Sequence, residues 1–140
     1  MMKQAQETLT VLTTGEGFFD ITRDITTWVE RQDVHTGLLT LFSQHTSAGL
    51  TIQENADPDV IKDLETFFKR LVPEAQQLYR HTIEGPDDMP AHIRTMLTGI
   101  HLSIPVRDRH PVLGIWQGIY LAECRQRPHT RRIVMHLVGL

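Results

Sequence analysis

The sequence predicts a mixed α+β domain with antiparallel strands, on three observations. A run around Thr8, Leu9, Thr10 and Val11 is rich in β-favouring side chains and stops at the turn signal Gly15-Glu16-Gly17. Asp57-Pro58 has the form of a helix start, with Val60, Ile61, Leu64, Phe67, Phe68 and Leu71 following at helical spacing. The C-terminal third holds three short apolar runs parted by turns, which suit hairpins rather than the long crossovers of a parallel sheet.

In chain order, Gln6 to Leu12 is the first predicted strand. Asp20 to Arg31 follows as a helix, because Ile21, Ile25, Trp28 and Val29 fall on one face and Asp20 is available as an N-cap. Gly37 to Phe42 and Ala48 to Ile52 are predicted strands on either side of a polar turn, Gln44 to Ser47. The helix begun at Asp57 ends before Pro73, and its Phe67 and Phe68 are assigned to the core. A further helix runs from a cap at Asp88, with Pro90 in its first turn, through Ile93, Met96 and Leu97 to Gly99. Strands at His101 to Val106, Gly118 to Cys124 and Arg131 to Val138 complete the chain, which is expected to form one domain over residues 1–140.

Composition narrows the function. A chain of 140 residues buries about 70% of its unfolded surface and needs no metal or disulfide to fold. Acidic residues outnumber basic ones by 17 to 14 and the basic residues form no run, so nucleic acid is not an expected partner. Cys124 is the only cysteine and no apolar stretch nears the ~20 residues that span a bilayer, which excludes an internal disulfide and predicts a cytoplasmic protein without a membrane helix.

Two polar clusters exceed what a core requires. The first, from Gln44 to Asp59, holds His45, Thr46, Ser47, Glu54, Asn55 and Asp57; the second holds Tyr79-Arg80-His81 and Gly85 to Arg94. His45, His81 and His92 are candidate catalytic groups, since imidazole changes charge near neutral pH and ligates metals when neutral. Thr46, Ser47 and Asn55 can hydrogen-bond a phosphate or heterocycle, Arg94 and Arg125 can form charge-assisted bonds to phosphate, and Asp87 and Asp88 are candidate Mg²⁺ ligands. Trp116 and Gln117, between two glycines, are candidate substrate contacts through ring stacking and an amide edge.

These motifs carry a resemblance. His45-Thr46-Ser47 with Leu50-Thr51-Ile52, Glu54-Asn55-Ala56-Asp57-Pro58, Tyr79-Arg80-His81, Glu84 through His92, and Gly114-Ile115-Trp116-Gln117-Gly118-Ile119-Tyr120 together resemble the YjbQ-like family, often described as a secondary thiamine-phosphate synthase. The resemblance implies an antiparallel β-sandwich with flanking helices, assembled as a homotrimer. It implies a transferase that joins hydroxymethylpyrimidine diphosphate to thiazole phosphate and releases pyrophosphate, expected as a weak or secondary activity. On that basis Arg94, Ser47 and Mg²⁺ at Asp87 or Asp88 would take the diphosphate, while His45, Asn55, His81 and His92 orient the pyrimidine and move protons. Gln53 and the turn Arg125 to Arg131 depart from the family pattern. Two other functions fit the same polar groups: a protein that binds a small phosphorylated or heterocyclic metabolite, and a metal-dependent hydrolytic or damage-control enzyme.

Overall fold

The computed structural model describes residues 1–140 and contains eight strands and three α-helices. In chain order these are β1 (Lys3–Thr13), β2 (Gly17–Asp20), α1 (Thr22–Arg31), β3 (Thr36–Ser43), β4 (Ala48–Glu54), α2 (Pro58–Leu71), α3 (Asp88–Thr98), β5 (His101–Arg107), β6 (His110–Pro111), β7 (Gln117–Glu123) and β8 (His129–Gly139), with a 3₁₀ turn at Gln76–Leu78. One sheet has the order β1-β8-β3-β5-β6 and the other β2-β7-β4, and every pairing is antiparallel. The predicted α+β class and antiparallel sandwich with flanking helices are therefore what the chain forms.

The core lies between the sheets. Leu39, Leu41, Ile104, Val106, Ile133, Met135 and Leu137 of the larger sheet meet Ala48, Leu50, Ile119 and Leu121 of the smaller one. Their alternation with exposed residues along β3, β5 and β8 is the period of two that places one face inward. Helix α1 adds Ile25, Trp28 and Val29 to the same cluster, burial worth on the order of 2 kcal/mol for each side chain. Asp20 serves this helix from outside it, its Oδ1 accepting from the Thr22 N–H at 2.9 Å and the Thr22 hydroxyl at 2.6 Å.

Three segments differ from the sequence prediction. Phe18 and Phe19 belong to β2, a four-residue edge strand too short to show a periodicity. Helix α2 forms where Asp57-Pro58 predicts it, with Asp57 accepting from the Asp59 N–H at 2.9 Å, yet it has no buried residue. Phe67 is 48% exposed, and Phe68 stacks on Phe18 at 6.3 Å between ring centres instead of entering the core. Asp88 is the first residue of α3 rather than its cap, and its carboxylate turns to other partners described below.

Helix α3 packs on β4 through backbone. Gly99 ends the helix at φ 86°, a conformation that favours glycine, and its carbonyl accepts from the Leu50 N–H at 3.0 Å. Gly49 faces this contact so closely that a Cβ there would strike the Thr98 hydroxyl and the Gly99 carbonyl. Gly49→Ala is expected to lower stability by about 1–3 kcal/mol through this overpacking, measurable as a lowered midpoint in urea, whereas Ala48→Gly at the preceding residue tests the same strand without the clash.

Candidate functional site

The chain crosses between the sheets at one end of the sandwich through Thr14–Glu16, Gln44–Ser47 and Cys124–Pro128. The first turn of α3 lies against two of these crossings. His92 Nδ1 is 2.9 Å from the Thr46 carbonyl oxygen, and Asp87 Oδ2 accepts from the Gln126 N–H at 2.9 Å.

Here the structure brings together His81, Asp88 and His92. Asp88 Oδ2 is 2.6 Å from His81 Nε2 and 3.0 Å from His92 Nε2, and the two rings lie 5.5 Å apart between centres. Helical spacing explains one contact, because residues 88 and 92 are one turn apart on the same face of α3. His81 arrives from the irregular segment before the helix. All three candidate ligand atoms lie within 4.8 Å of one another, with Asp88 buried and His81 exposed.

Arg125 organises the acidic side. Its Nη1 donates to Asp88 Oδ1 at 2.6 Å, its Nε to Asp87 Oδ2 at 3.0 Å and its Nη2 to the Glu84 carbonyl at 3.0 Å. Burial works to raise the pKa of Asp88, but the hydrogen bond from His81, the charge of His92 and Arg125 outweigh it and hold the carboxyl below its ordinary range. Burial also opposes ionisation of Asp87, where the Gln126 N–H and Arg125 prevail. Both carboxylates further gain from the electropositive start of α3. Beside Arg125 opens a cleft of about 530 Å³ lined by Ile83, Glu84, Gly85, Arg127, Pro128 and His129.

The other candidates occupy different places. His45 Nε2 accepts from the Arg132 N–H at 2.8 Å, which pins the β3–β4 loop to β8. Ser47 Oγ accepts from Arg131 Nη2 at 3.0 Å. Arg94, assigned to phosphate from sequence, is 3% exposed and donates instead to Glu16 Oε1 at 2.6 Å and the Val72 carbonyl at 2.8 Å, because its position on α3 faces inward. Asn55, Trp116 and Gln117 sit at the far end of β4 and β7, about 20 Å along the strands from Glu123. There Gln117 Oε1 closes a turn by accepting from the Gly114 N–H at 2.6 Å, and the Trp116 carbonyl accepts from the Asn55 N–H. Asp87, the other candidate metal ligand, is engaged with Arg125 and Gln126.

Sequence reasoning misses Glu123 and Arg131. Glu123 is buried at the end of β7, and Arg131 bonds it through Nε at 2.7 Å and through Nη2, while the Thr13 hydroxyl donates to it at 2.7 Å. The available signal is a charge at an inward position of an otherwise apolar strand, Gly118 to Cys124. Arg127 and His129 are not among the predicted site residues, because the turn that holds them departs from the family pattern.

The fold and this trio define a class: an antiparallel α+β sandwich with a two-histidine, one-aspartate cluster where its sheets exchange strands. Residues 7–140 match the family described as UPF0047 protein YjbQ-like, and the chain belongs to that family. It is 50% identical over 137 residues to the UPF0047 protein sll1880 of Synechocystis sp., covering 98% of this chain and 93% of that one. It is 44% identical over 135 residues to the UPF0047 protein YjbQ of Escherichia coli O157:H7, covering 96% and 97%. Among solved structures, the conserved hypothetical protein TT1486 of Thermus thermophilus superposes with a TM-score of 0.81 at 40% identity, over 91% of this chain and 97% of that one. A YbjQ-like protein of unknown function from Sulfolobus solfataricus superposes with a TM-score of 0.91 over the whole of both chains, and at 23% identity it speaks to the fold alone.

Burial, then the charge of Arg131, lowers the pKa of His45, in keeping with a neutral Nε2 that accepts the Arg132 N–H. A group depressed in the folded state contributes stability that is fully present above its unfolded pKa, about 6.5, and is lost as pH falls through the lower folded value. The thermal midpoint is expected to fall over that window in the wild type and to fall less in His45→Gln, as read by circular dichroism at successive pH values.

Proposed function

We propose that this protein is a metal-dependent enzyme acting on a small phosphorylated metabolite, with His81, Asp88 and His92 as ligands of the ion and Arg127 with His129 facing the phosphate. One observation carries this reading: the 2.9 Å contact between His92 Nδ1 and the Thr46 carbonyl. A carbonyl oxygen only accepts, so Nδ1 carries a hydrogen, and once Nε2 gives up any proton of its own its lone pair points toward Asp88 Oδ2, 3.0 Å away. Two such atoms that close are bridged by a proton or by a cation, and a metal ion can take the proton's place. A metal ligand that donates its second ring N–H to a backbone carbonyl is the usual arrangement around such ions.

Two imidazole nitrogens and one carboxylate oxygen suit zinc or a similar transition ion. Magnesium, which prefers six oxygens at about 2.1 Å, fits this donor set poorly. Around a tetrahedral zinc, ligand atoms stand about 3.3 Å apart. The observed separations of 2.6 and 3.0 Å need only a small outward rotation of the two rings. Such an ion would polarise a phosphoryl oxygen and lower the pKa of bound water to about 7. Arg125 keeps Asp88 ionised and aimed, and the adjoining cleft supplies positive charge from Arg127 and a ring nitrogen of His129, whose Nδ1 is turned to the Arg127 carbonyl at 2.7 Å.

The thiamine-phosphate synthase activity implied by the family resemblance would use the same cleft. That reading gives its diphosphate to Arg94 and Ser47, however, and both already have protein partners, so hydrolysis is the better supported reaction. No helix is long and apolar enough to cross a membrane, and the reducing cytoplasm we propose as its location suits Cys124, a buried free thiol pushed up to about 11 by burial. The proposal includes a homotrimer, supported by the outer face of the larger sheet, where exposed Leu38 and Phe42 pair directly with Val138 and Val134.

Purified protein is expected to retain about one zinc per chain after dialysis against a weak chelator, and to release phosphate from some member of a panel of phosphomonoesters. Asp88→Asn should lower zinc affinity at least 10–100-fold, and Arg127→Ala should raise KM more than it lowers kcat. Unchanged zinc content and turnover in folded Asp88→Asn would remove the metal reading. Formation of thiamine phosphate from its two precursors, with no phosphomonoester cleaved, would return the assignment to the transferase. In sedimentation equilibrium three chains per particle are expected, and Phe42→Glu should shift the mass toward a monomer.

A further inference from the structure

The ion pair of Glu123 and Arg131 lies out of solvent, with side chains 0% and 5% exposed. Desolvating two charges costs several kcal/mol each, and apolar pairs of similar volume often stabilise a protein as well or better. Stability alone therefore does not account for a charged pair at this point of the core. Its remaining hydrogen-bonding capacity runs in two directions.

Toward one side, Arg131 Nη2 donates to Ser47 Oγ at 3.0 Å and to the Ser47 carbonyl at 3.3 Å. The same carbonyl accepts from the Cys124 N–H at 3.2 Å. Ser47 shares a peptide group with Thr46, and the Thr46 carbonyl receives His92 Nδ1. Toward the other side, Glu123 Oε2 accepts from the Arg125 N–H at 3.1 Å, and the Arg125 guanidinium holds Asp88 Oδ1 at 2.6 Å. The first path runs through two adjacent residues and the second through one. A single buried pair thus holds the two loops that set the hydrogen of His92 and the direction of Asp88.

We infer that Glu123 and Arg131 are positioning residues for the site, fixing the His92 tautomer through Ser47–Thr46 and the Asp88 carboxylate through Arg125. This inference rests on the proposed role of His81, Asp88 and His92. Neither residue touches the space between those three side chains, so their effect passes through Thr46 and Arg125. The second bond of Ser47, to the Cys124 amide, ties its loop to the β7–β8 turn as well. Thr13, donating to Glu123 Oε1 at 2.7 Å, leaves that oxygen no freedom to turn away.

The test uses the full chain with Arg131→Lys and Glu123→Gln, beside Arg94→Lys as a control that loses an equally buried guanidinium with no hydrogen bond to either loop. Two readouts are taken: the ring-nitrogen signals of His92 in metal-free protein by ¹⁵N–¹H correlation spectra, and zinc affinity by competition with a chromophoric chelator. Wild-type protein is expected to show one His92 state with hydrogen on Nδ1. Arg131→Lys and Glu123→Gln should show mixed tautomers and bind zinc about 10–100-fold more weakly, while Arg94→Lys loses thermal stability with both readouts unchanged. Folded Arg131→Lys with the wild-type His92 signal and wild-type zinc affinity would overturn the inference. Should Arg131→Lys not fold, Ser47→Ala removes the Oγ contact alone, and an unchanged His92 signal in that variant would overturn it equally. Wild-type protein that binds no zinc refutes the metal reading, and the His92 spectra still decide the positioning role.

Discussion

Glu123 and Arg131 face each other where the two sheets exchange strands, one at the end of β7 in the smaller sheet and the other near the start of β8 in the larger. Removing either charge alone would leave its partner buried without compensation, a loss of about 3–5 kcal/mol. Burial disfavours ionised Glu123, but the hydrogen bonds from Arg131, Thr13 and the Arg125 amide outweigh it and keep its pKa low. The apolar side chains that fill the rest of the sandwich can adjust to one another, whereas this pair has one geometry that satisfies it. Strand β1 through Thr13, the β3–β4 loop through Ser47 and the β7–β8 turn through Arg125 all take their positions from it.

At the rim of the same end, electrostatics are layered. Asp88 is buried and ringed by imidazole and guanidinium, Asp87 is tied to Arg125 and a backbone amide, and the half-open face offers His81. Interior anions are held by fixed donors, and the mouth of the cleft presents Arg127 and His129 with Glu84 beside them. An incoming anion therefore meets Arg127 without having to break an existing ion pair of that residue. The far end of the strands, with Asn55, Trp116 and Gln117, is chemically separate, its polar groups closing turns.

The sequence announces the elements with local physics: the period-two strands β3, β5 and β8, the apolar face of α1, and the Asp57-Pro58 start of α2. It also marks His81, Asp88 and His92 as members of one polar segment. Long-range arrangement is out of its reach. Phe67 and Phe68 obey helical periodicity whether their helix lies in the core or on its outside, so spacing cannot tell that α2 stays unburied. Asp88 before Pro90 reads as a cap, and only the tertiary arrival of Arg125 and His81 gives its carboxylate another use. Arg94 lies near the histidines in sequence, yet its rotation around α3 sends it toward Glu16. Glu123 and Arg131 are eight residues apart, and they meet only because a turn joins strands of different sheets between them.

Helix α3 is fastened differently at its two ends. At Gly99 it meets Gly49 and Leu50 through backbone, with the short Thr98 side chain beside the contact. At Asp88 it is held by charged side chains, whose balance depends on what shares the site with them. The helix is therefore fastened by shape at one end and by charge at the other. Its first turn also buries Pro90 and Ala91, so the side that carries the histidine–aspartate cluster is anchored by packing as well as by ions. A change of charge at Asp88 is thus a change in how one end of the helix is held.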